Sequence, residues 1–381
     1  MKKKICFIIS SRANYGRVKP VLLEIKKDKR LELQIILSAS SILGRFGDIR
    51  KILIKDGLHF NDQAFVVIEG DTPLTMAKST GFSIIEISTA FKNLNPDTVV
   101  VTGDRYETLA TAISASYMNI VLAHIQGGEI TGSIDESVRH AVTKLSHIHF
   151  AATQEAKKNI LRLGEIKKYV SNTGCPSIDT LKLNKKKLKD VRDLLLGVGN
   201  KFDYNKPYIL VVFHSVTTDY ENSYNYAKVL AETIDKIKHQ VVWLWPNIDS
   251  GSDEISRCIR QYRESKRLSN VSFFKNFSVD DYNSILRNAL CTVGNSSSFI
   301  REGSYLGVPC VLLGLRQSGR EIGKNVIFSD FNEEELLKKI SNQIKKKRYP
   351  RSYLYGQGNS AKKIKNYLAK LEPNIQKKLT F

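Results

Sequence analysis

Three stretches of the 381-residue chain carry side chains able to move a proton or hold a negative charge. The first is Val101-Thr102-Gly103-Asp104-Arg105-Tyr106-Glu107, where an apolar run stops at glycine and a helical pattern begins. Adjacent Asp104 and Arg105 offer an acid/base group and an anion contact; an aspartate at a helix start also serves as an N-cap. The second runs from His124-Ile125-Gln126-Gly127-Gly128-Glu129 through Asp135, Arg139 and His140. Its paired glycines would let the backbone turn sharply where a ligand approaches. Asp135 and Arg139 are four residues apart, which is also the spacing of a plain ion pair on a helix. The third is Gly294-Asn295-Ser296-Ser297-Ser298-Phe299-Ile300-Arg301-Glu302, a strand end followed by a helix start rich in hydroxyls. Free N–H groups and the positive end of a helix dipole suit a diphosphate there, and Glu302 suits the two hydroxyls of a ribose.

Smaller signals surround these. Arg12 follows the first apolar run, His214 ends a later one, and Arg316 and Arg320 lie in Leu315-Arg316-Gln317-Ser318-Gly319-Arg320-Glu321. The first turn, Ser10-Ser11-Arg12-Ala13-Asn14-Tyr15-Gly16-Arg17, is not a Gly-x-Gly-x-x-Gly dinucleotide fingerprint. His147-x-His149 has no neighbouring ligand cluster, so no metal site is expected.

Positioning such loops requires strands that end where they begin. Short apolar runs at Ile5–Ile9, Leu33–Leu37, Thr98–Thr102, Ile120–His124, His149–Ala152 and Tyr169–Asn172 read as parallel strands buried on both faces. Helical patterns at Tyr15–Lys27, Thr72–Asn93, Tyr106–Met118 and Ile134–Ser146 alternate with them, which implies right-handed crossovers and a doubly wound sheet. The pattern restarts after Thr173-Gly174-Cys175-Pro176 and a polar segment, Lys182–Lys206. New strands are expected at Tyr208–Phe213, Val241–Trp245, Val271–Phe274, Cys291–Val293 and Cys310–Leu313, with helices at Tyr224–Lys236, Asp281–Arg287 and Phe299–Leu306. The expected architecture is α/β with two Rossmann-like domains, residues 1–175 and 176–358, and a cleft between the strand C-terminal ends. A last helix near 360–371 is free to pack back on the first domain.

Composition narrows the partners. Hydrophobic residues at 42% and charged residues at 25% describe an ordinary globular chain. Lys+Arg 59 against Asp+Glu 38 gives +21, but the basic runs, such as Lys185-Lys186-Lys187, lie outside the motifs and do not interleave with aromatics, so nucleic acid is not expected. No run approaches the roughly 18 apolar residues of a membrane helix, and Ile5–Ile9 is too short for a signal-peptide core. Five cysteines without a Cys-x-x-Cys suit free thiols and a cytoplasmic location.

In order and spacing, SSRANYG, TGDRYE, HIQGGEITGSIDESVRH, FHSVTTDY, WPNIDSG, GNSSSFIREG and LRQSGRE resemble the hydrolysing UDP-N-acetylglucosamine 2-epimerases. The resemblance covers residues 4 to 326. It implies a GT-B-like arrangement of the two domains and conversion of UDP-N-acetylglucosamine to N-acetylmannosamine and UDP through a 2-acetamidoglycal, for sialic acid or a related nonulosonate. It carries the catalytic carboxylates onto Asp104 and Asp135. Ser296 and Ser297 fall to phosphate, Glu302 to ribose, and Arg316 and His214 to diphosphate with Asn247 nearby, while Arg12 and Arg105 reach in from the first domain. No metal or redox cofactor is implied, and a homo-oligomer, dimer or tetramer, is.

The chain departs from the family pattern at Gln126, where a third carboxylate is usual, and at Asn14 and Ser215, where Asp and Pro are common. Either Glu129 takes over the missing acid/base role or Gln126 only orients substrate. The same chemistry on a UDP- or GDP-linked 2,4-diacetamido-trideoxyhexose, the legionaminic acid route, is the nearest alternative. A GT-B glycosyltransferase is a more distant one, since the paired Asp104 and Asp135 loops would then lack a purpose.

Overall fold

The computed structural model describes residues 1–44, 48–70, 72–246 and 249–380. In the first half the order is β1 (Lys3–Ile9), α1 (Arg12–Lys27), β2 (Leu31–Ser38), α2 (Ile49–Lys55), β3 (Asp62–Ala64), α3 (Pro73–Leu94) and β4 (Thr98–Thr102). There follow α4 (Tyr106–Tyr117), β5 (Val121–Ile125), α5 (Asp135–Leu145), β6 (Ile148–Ala151), α6 (Gln154–Arg162) and β7 (Val170–Asn172). Every strand pairing in this sheet is parallel, in the order β3-β2-β1-β4-β5-β6-β7. The order reverses between β1 and β4, and the loops leaving those two strands therefore splay apart into a crevice. Ser10–Asn14 and Gly103–Arg105 are those loops.

After α7 (Pro176–Leu183) the second half runs β8 (Val198–Gly199), β9 (Tyr208–Val212), α8 (Ser223–Asp235), β10 (Gln240–Leu244), α9 (Ser252–Glu264) and β11 (Val271–Phe274). It continues with α10 (Val279–Asn288), β12 (Cys291–Gly294), α11 (Ser297–Leu306), β13 (Cys310–Leu313), β14 (Val326–Ser329) and α12 (Glu333–Lys346). The sheet order β14-β13-β12-β9-β10-β11-β8 switches between β9 and β12, and only β8 is antiparallel. The loops leaving β9 and β12 carry His214 and Asn295–Ser297, so the two switch points face each other. This is the GT-B-like pair of Rossmann-like units.

The interior strands are apolar because both faces are covered: β4, β9 and β10 are buried at every position. The edge strands β3, β8 and β14 lack a long apolar run and are absent from the periodicity reading. The polar segment 182–206 is not a bare connection, since Val191, Leu194 and Phe202 enter the core of the second half.

The chain leaves the first sheet at Thr173–Pro176 and returns beside itself at Tyr355–Ser360, where Cys175 N–H donates to the Tyr355 carbonyl (2.8 Å). The returning helix α13 (Ser360–Lys370) is capped from α7, whose Asp179 carboxylate accepts from Ser360 N–H (3.0 Å) and Ala361 N–H (2.8 Å). Ala361, Ile364 and Leu368 then join Ile5, Phe7, Val18 and Leu22 in one core of the first half. No described helix is long and apolar enough to cross a membrane. Ile364 is fully buried. Ile364→Ala is expected to cost about 2–4 kcal/mol in urea unfolding; a change within about 0.5 kcal/mol, as for a surface site, would remove α13 from that core.

Candidate active site

Between the facing switch points lies a cavity of about 750 Å³ lined from both halves. A second hollow of about 640 Å³, with Arg260, Arg263, Lys266 and Arg267, sits before β11, at the other end of the sheet from the cleft loops. The chemistry gathers in the first.

On the first-half wall, Arg139 is 1% exposed and is neutralised from two sides. Its Nε donates to Asp104 Oδ2 (3.0 Å), Nη2 also donates to that oxygen, and Nη1 donates to Glu136 Oε2 (2.9 Å) and the Glu129 carbonyl (2.7 Å). The Asp104 loop is braced from behind by His124, whose Nε2 bonds the Gly103 carbonyl (2.8 Å) and whose Nδ1 bonds Thr143 (3.2 Å). Burial lowers the His124 pKa to about 4, so the imidazole is neutral at pH 7.

The two aspartates are pushed in opposite directions. Burial works to raise the Asp104 pKa, but Arg139, Arg17 and Arg320 overcome it and hold the carboxyl well below the usual range. At Asp135, burial and the neighbouring Asp104 charge raise the pKa to about 6. One carboxylate that stays ionised beside one that titrates near neutrality is the pattern of an acid/base pair.

Opposite them, Ser296 caps α11 and its hydroxyl meets Ser298 Oγ (2.9 Å). Ser297 Oγ accepts from Arg17 Nη2 across the cleft (3.1 Å). Asn295 staples the two loops together, accepting from His214 N–H (2.9 Å) and donating to the His214 carbonyl (2.7 Å). Burial and Arg316 lower the His214 pKa to about 3, which leaves a neutral ring in the cavity wall. Arg316 donates to the Asn295 carbonyl (3.2 Å), and burial raises the Glu302 pKa. Trp245, Pro246, Lys275, Asn276 and Phe277 line the part of the cavity beside β10 and β11. Arg105 spans the halves to Asp249 (2.7 Å), and Arg12 reaches Asn276.

Thus the cavity brings together Asp104, Asp135, Arg12, Arg105, His214, Ser296, Ser297, Glu302 and Arg316. Four expected site residues lie outside its lining. Arg139 works from behind Asp104, and His140 bonds Glu136 (2.8 Å) on the outer side of α5. Gln126 and Glu129 are buried under Arg301, and Glu129 Oε2 is held by Arg301 (2.6 Å) and Arg320. Of the two alternatives for the missing carboxylate, the one in which Glu129 exchanges the proton would therefore require that oxygen to leave an ion pair or the other to act. Asn247 lies outside the described residues.

Three local expectations also change. Asp104 is not the N-cap of α4, because Arg105 occupies that position. Arg139 pairs with Asp104 and Glu136 rather than with Asp135, since Asp135 in the first turn of α5 faces the cavity instead. Gly127 and Gly128 serve packing and not ligand approach: a Cβ at Gly128 (φ +76°) would lie 2.2 Å from the Ala156 carbonyl of α6. The close approach across the cleft is at Gly132, where a Cβ would lie 2.1 Å from the Leu315 carbonyl. Among the described residues no cluster could hold a metal ion. Arg17, Arg301 and Asp249 also line the cavity and were not singled out by sequence. Arg17 sits one and a half turns into the helix after β1, and Arg301 beside Glu302, which are the signals that point to them.

The sequence profile of the UDP-N-acetylglucosamine 2-epimerase family matches residues 23–369. The chain is 32% identical over 338 residues to a GDP/UDP-N,N'-diacetylbacillosamine 2-epimerase (hydrolyzing) of Campylobacter jejuni, covering 87% of this chain and 85% of that one. It is 30% identical over 345 residues to a UDP-N-acetylglucosamine 2-epimerase of Neisseria meningitidis, covering 89% and 87%. In fold it is similar to the crystal structure of the UDP-GlcNAc 2-epimerase from Neisseria meningitidis bound to UDP-GlcNAc, with TM-score 0.78, 19% identity and coverage of 97% and 100%.

Arg139→Met would leave the Asp104 and Glu136 charges without their buried partner. A loss of about 3 kcal/mol is expected. Asp104, whose pKa is depressed in the folded state, contributes stability that is lost as pH falls through its folded pKa. Without Arg139 that loss begins at higher pH, so acid unfolding should move upward; an unmoved acid transition would show that the pair does not hold the loop.

Proposed function

The chain belongs to the UDP-N-acetylglucosamine 2-epimerase family, and from that premise we propose that it is a hydrolysing 2-epimerase acting on a UDP-linked 2-acetamido sugar, UDP-N-acetylglucosamine first. The observation that carries this reading is the oppositely shifted pair Asp104 and Asp135 facing an anion site built of arginines, serine hydroxyls and the start of α11.

The reaction divides into two steps. Asp135, ionised above its raised pKa, takes the C2 proton while the C1–O bond to the diphosphate breaks, leaving a C1=C2 glycal and UDP. The C2 proton is weakly acidic, so its loss must accompany departure of the leaving group. Arg17, Arg316 and the N–H groups at Ser297–Ser298 meet the charge that builds on the diphosphate, the kind of prearranged stabilisation that dominates many rate enhancements. Water then adds its hydroxyl at C1 while C2 is reprotonated from the opposite face, giving free N-acetylmannosamine. Asp104, kept ionised by Arg139, raises the Asp135 pKa and so tunes the base. Glu302 and the Lys275–Phe277 wall would hold the nucleoside. Gln126 exchanges no proton.

A second reading, the same reaction on a diacetamido-trideoxyhexose nucleotide, is favoured by two relatives named for diacetylbacillosamine, from Campylobacter jejuni and Legionella pneumophila, at 32% and 29% identity. The apolar side chains of Pro73, Met76, Leu109, Ile134 and Val138 along the first-half wall suit the methyl groups of such a sugar.

Proton NMR in D2O with UDP-N-acetylglucosamine tests the proposal. UDP and N-acetylmannosamine carrying deuterium at C2 are expected. Hydrolysis without deuterium would exclude proton abstraction, and turnover of the diacetamido nucleotide alone would select the second reading. Because Asp135 must be ionised to act, kcat/KM should fall as pH drops through about 6. Asp135→Asn should lower kcat by about 10²–10⁴.

A further inference from the structure

Arg301 is 3% exposed, lines the cavity, and comes from a helix position that family resemblance assigns no role. Its guanidinium is gripped from the first half of the chain. Nη1 donates to Gln126 Oε1 (2.8 Å) and Nη2 to Glu129 Oε2 (2.6 Å), and Cζ lies 5.8 Å from the centroid of the Tyr355 ring of the second half. Nε is buried with no partner among the described residues. A guanidinium held rigidly at both terminal nitrogens with its third donor group idle is prepared for one more acceptor.

What the acceptor is follows from the neighbours. Arg301 and Ser297 are four residues apart on α11 and so share a face of the helix. Ser297 Oγ already takes a hydrogen bond from Arg17, whose pKa is lowered by burial and by the Arg301 charge. Two guanidinium groups therefore approach one helix start; of the acids beside them, Asp104 is held by Arg139 and burial works against an ionised Glu302, so a further anion would relieve their repulsion. Glu129 does not cancel the surplus, because the same oxygen is shared with Arg320.

Gln126 completes the account. Its backbone is in the left-handed region (φ +70°), a conformation in which a non-glycine residue is strained, and both ends of its amide are used: Oε1 toward Arg301, Nε2 toward Cys175 Sγ (2.9 Å). Cys175 Sγ in turn meets Ser177 Oγ (2.9 Å). A carboxylate at 126 would place a second negative charge on Arg301 and lose the donor that Cys175 receives.

We propose that Arg301 is a substrate-binding residue that donates to an oxygen of the nucleotide diphosphate, and that Gln126 is the positioning residue that aims it while leaving its charge free for that anion. The inference rests on the nucleotide-sugar reading of the cleft and adds to it the reason that an amide stands where the family usually has a carboxylate.

Calorimetric titration with UDP and with uridine, which lacks the phosphates, separates the possibilities. In Arg301→Met, UDP should bind about tenfold more weakly or worse while uridine is unchanged. In Gln126→Glu, where a new carboxylate competes with the phosphate, UDP should weaken several-fold, and more so as pH rises and the glutamate ionises. UDP affinity unchanged in both variants, or UDP and uridine weakened alike, would overturn the proposal. If Arg301→Met does not fold, Gln126→Glu decides: unaltered or improved UDP binding refutes the inference. Wild-type protein that binds neither compound would overturn the nucleotide-sugar reading and the inference with it, whereas a wild type that binds UDP no better than Arg301→Met does refutes the inference alone.

Discussion

One buried carboxylate holds the cleft in its present shape. Glu129, 5% exposed, comes from the first half and lies under Arg301 and Arg320 of the second. Removing three charged groups from water is costly, and a pair of this kind persists only where the geometry is close and further donors are satisfied. Here the demand is met in part: Gln126 takes one Arg301 nitrogen and Tyr355 lies beside the guanidinium, while Glu129 Oε1 and the Nε atoms of Arg301 and Arg320 find no partner among the described residues. With Glu129 seated, the Thr131–Ser133 loop meets Leu315–Arg316, Arg105 meets Asp249, and Arg17 meets Ser297. Each of these would be out of reach if the halves stood a few ångströms apart.

The same constraint divides the charges into two sets with different duties. Asp104, Glu136 and Arg139 form one set on the first-half wall, and it fixes which aspartate is ionised. Glu129, Arg301 and Arg320 form the other, in which two guanidinium groups share one carboxylate oxygen across the halves. The lysine-rich surface that dominates the formal charge of +21 has no part in either. Net charge thus describes how the protein meets solvent, and the cleft is governed by arginines whose partners are chosen individually.

Much of the fold was legible because parallel strands covered on both faces are written as unbroken apolar runs, and the crevice residues follow directly from where those runs stop. Asp104, Arg105, His214 and Ser296 were found that way. Edge strands were not, since Asp62–Ala64 and Val198–Gly199 are too short to leave a pattern. Partner choice was the other loss. Local spacing offered Asp135 to Arg139, yet Arg139 turned to Asp104, 35 residues earlier. The Gln126–Arg301 contact spans 175 residues, and the tight spacing that demands Gly128 comes from a helix not yet formed in a linear reading. Contacts between residues distant in sequence, whether within one half or across the two, cannot be read from local spacing.

The seating of α13 has a consequence for how the molecule is made. The core of the first half contains Ala361, Ile364 and Leu368, which leave the ribosome after the whole second half. Domains usually complete themselves in the order of synthesis. Here the half that is translated first keeps the surface around Val18 and Leu22 open until α13, which follows the whole second half in sequence, has been made. The second half, whose sheet is contiguous in sequence, can close before it. The half that is synthesised first is therefore completed by a helix that is synthesised after the other half.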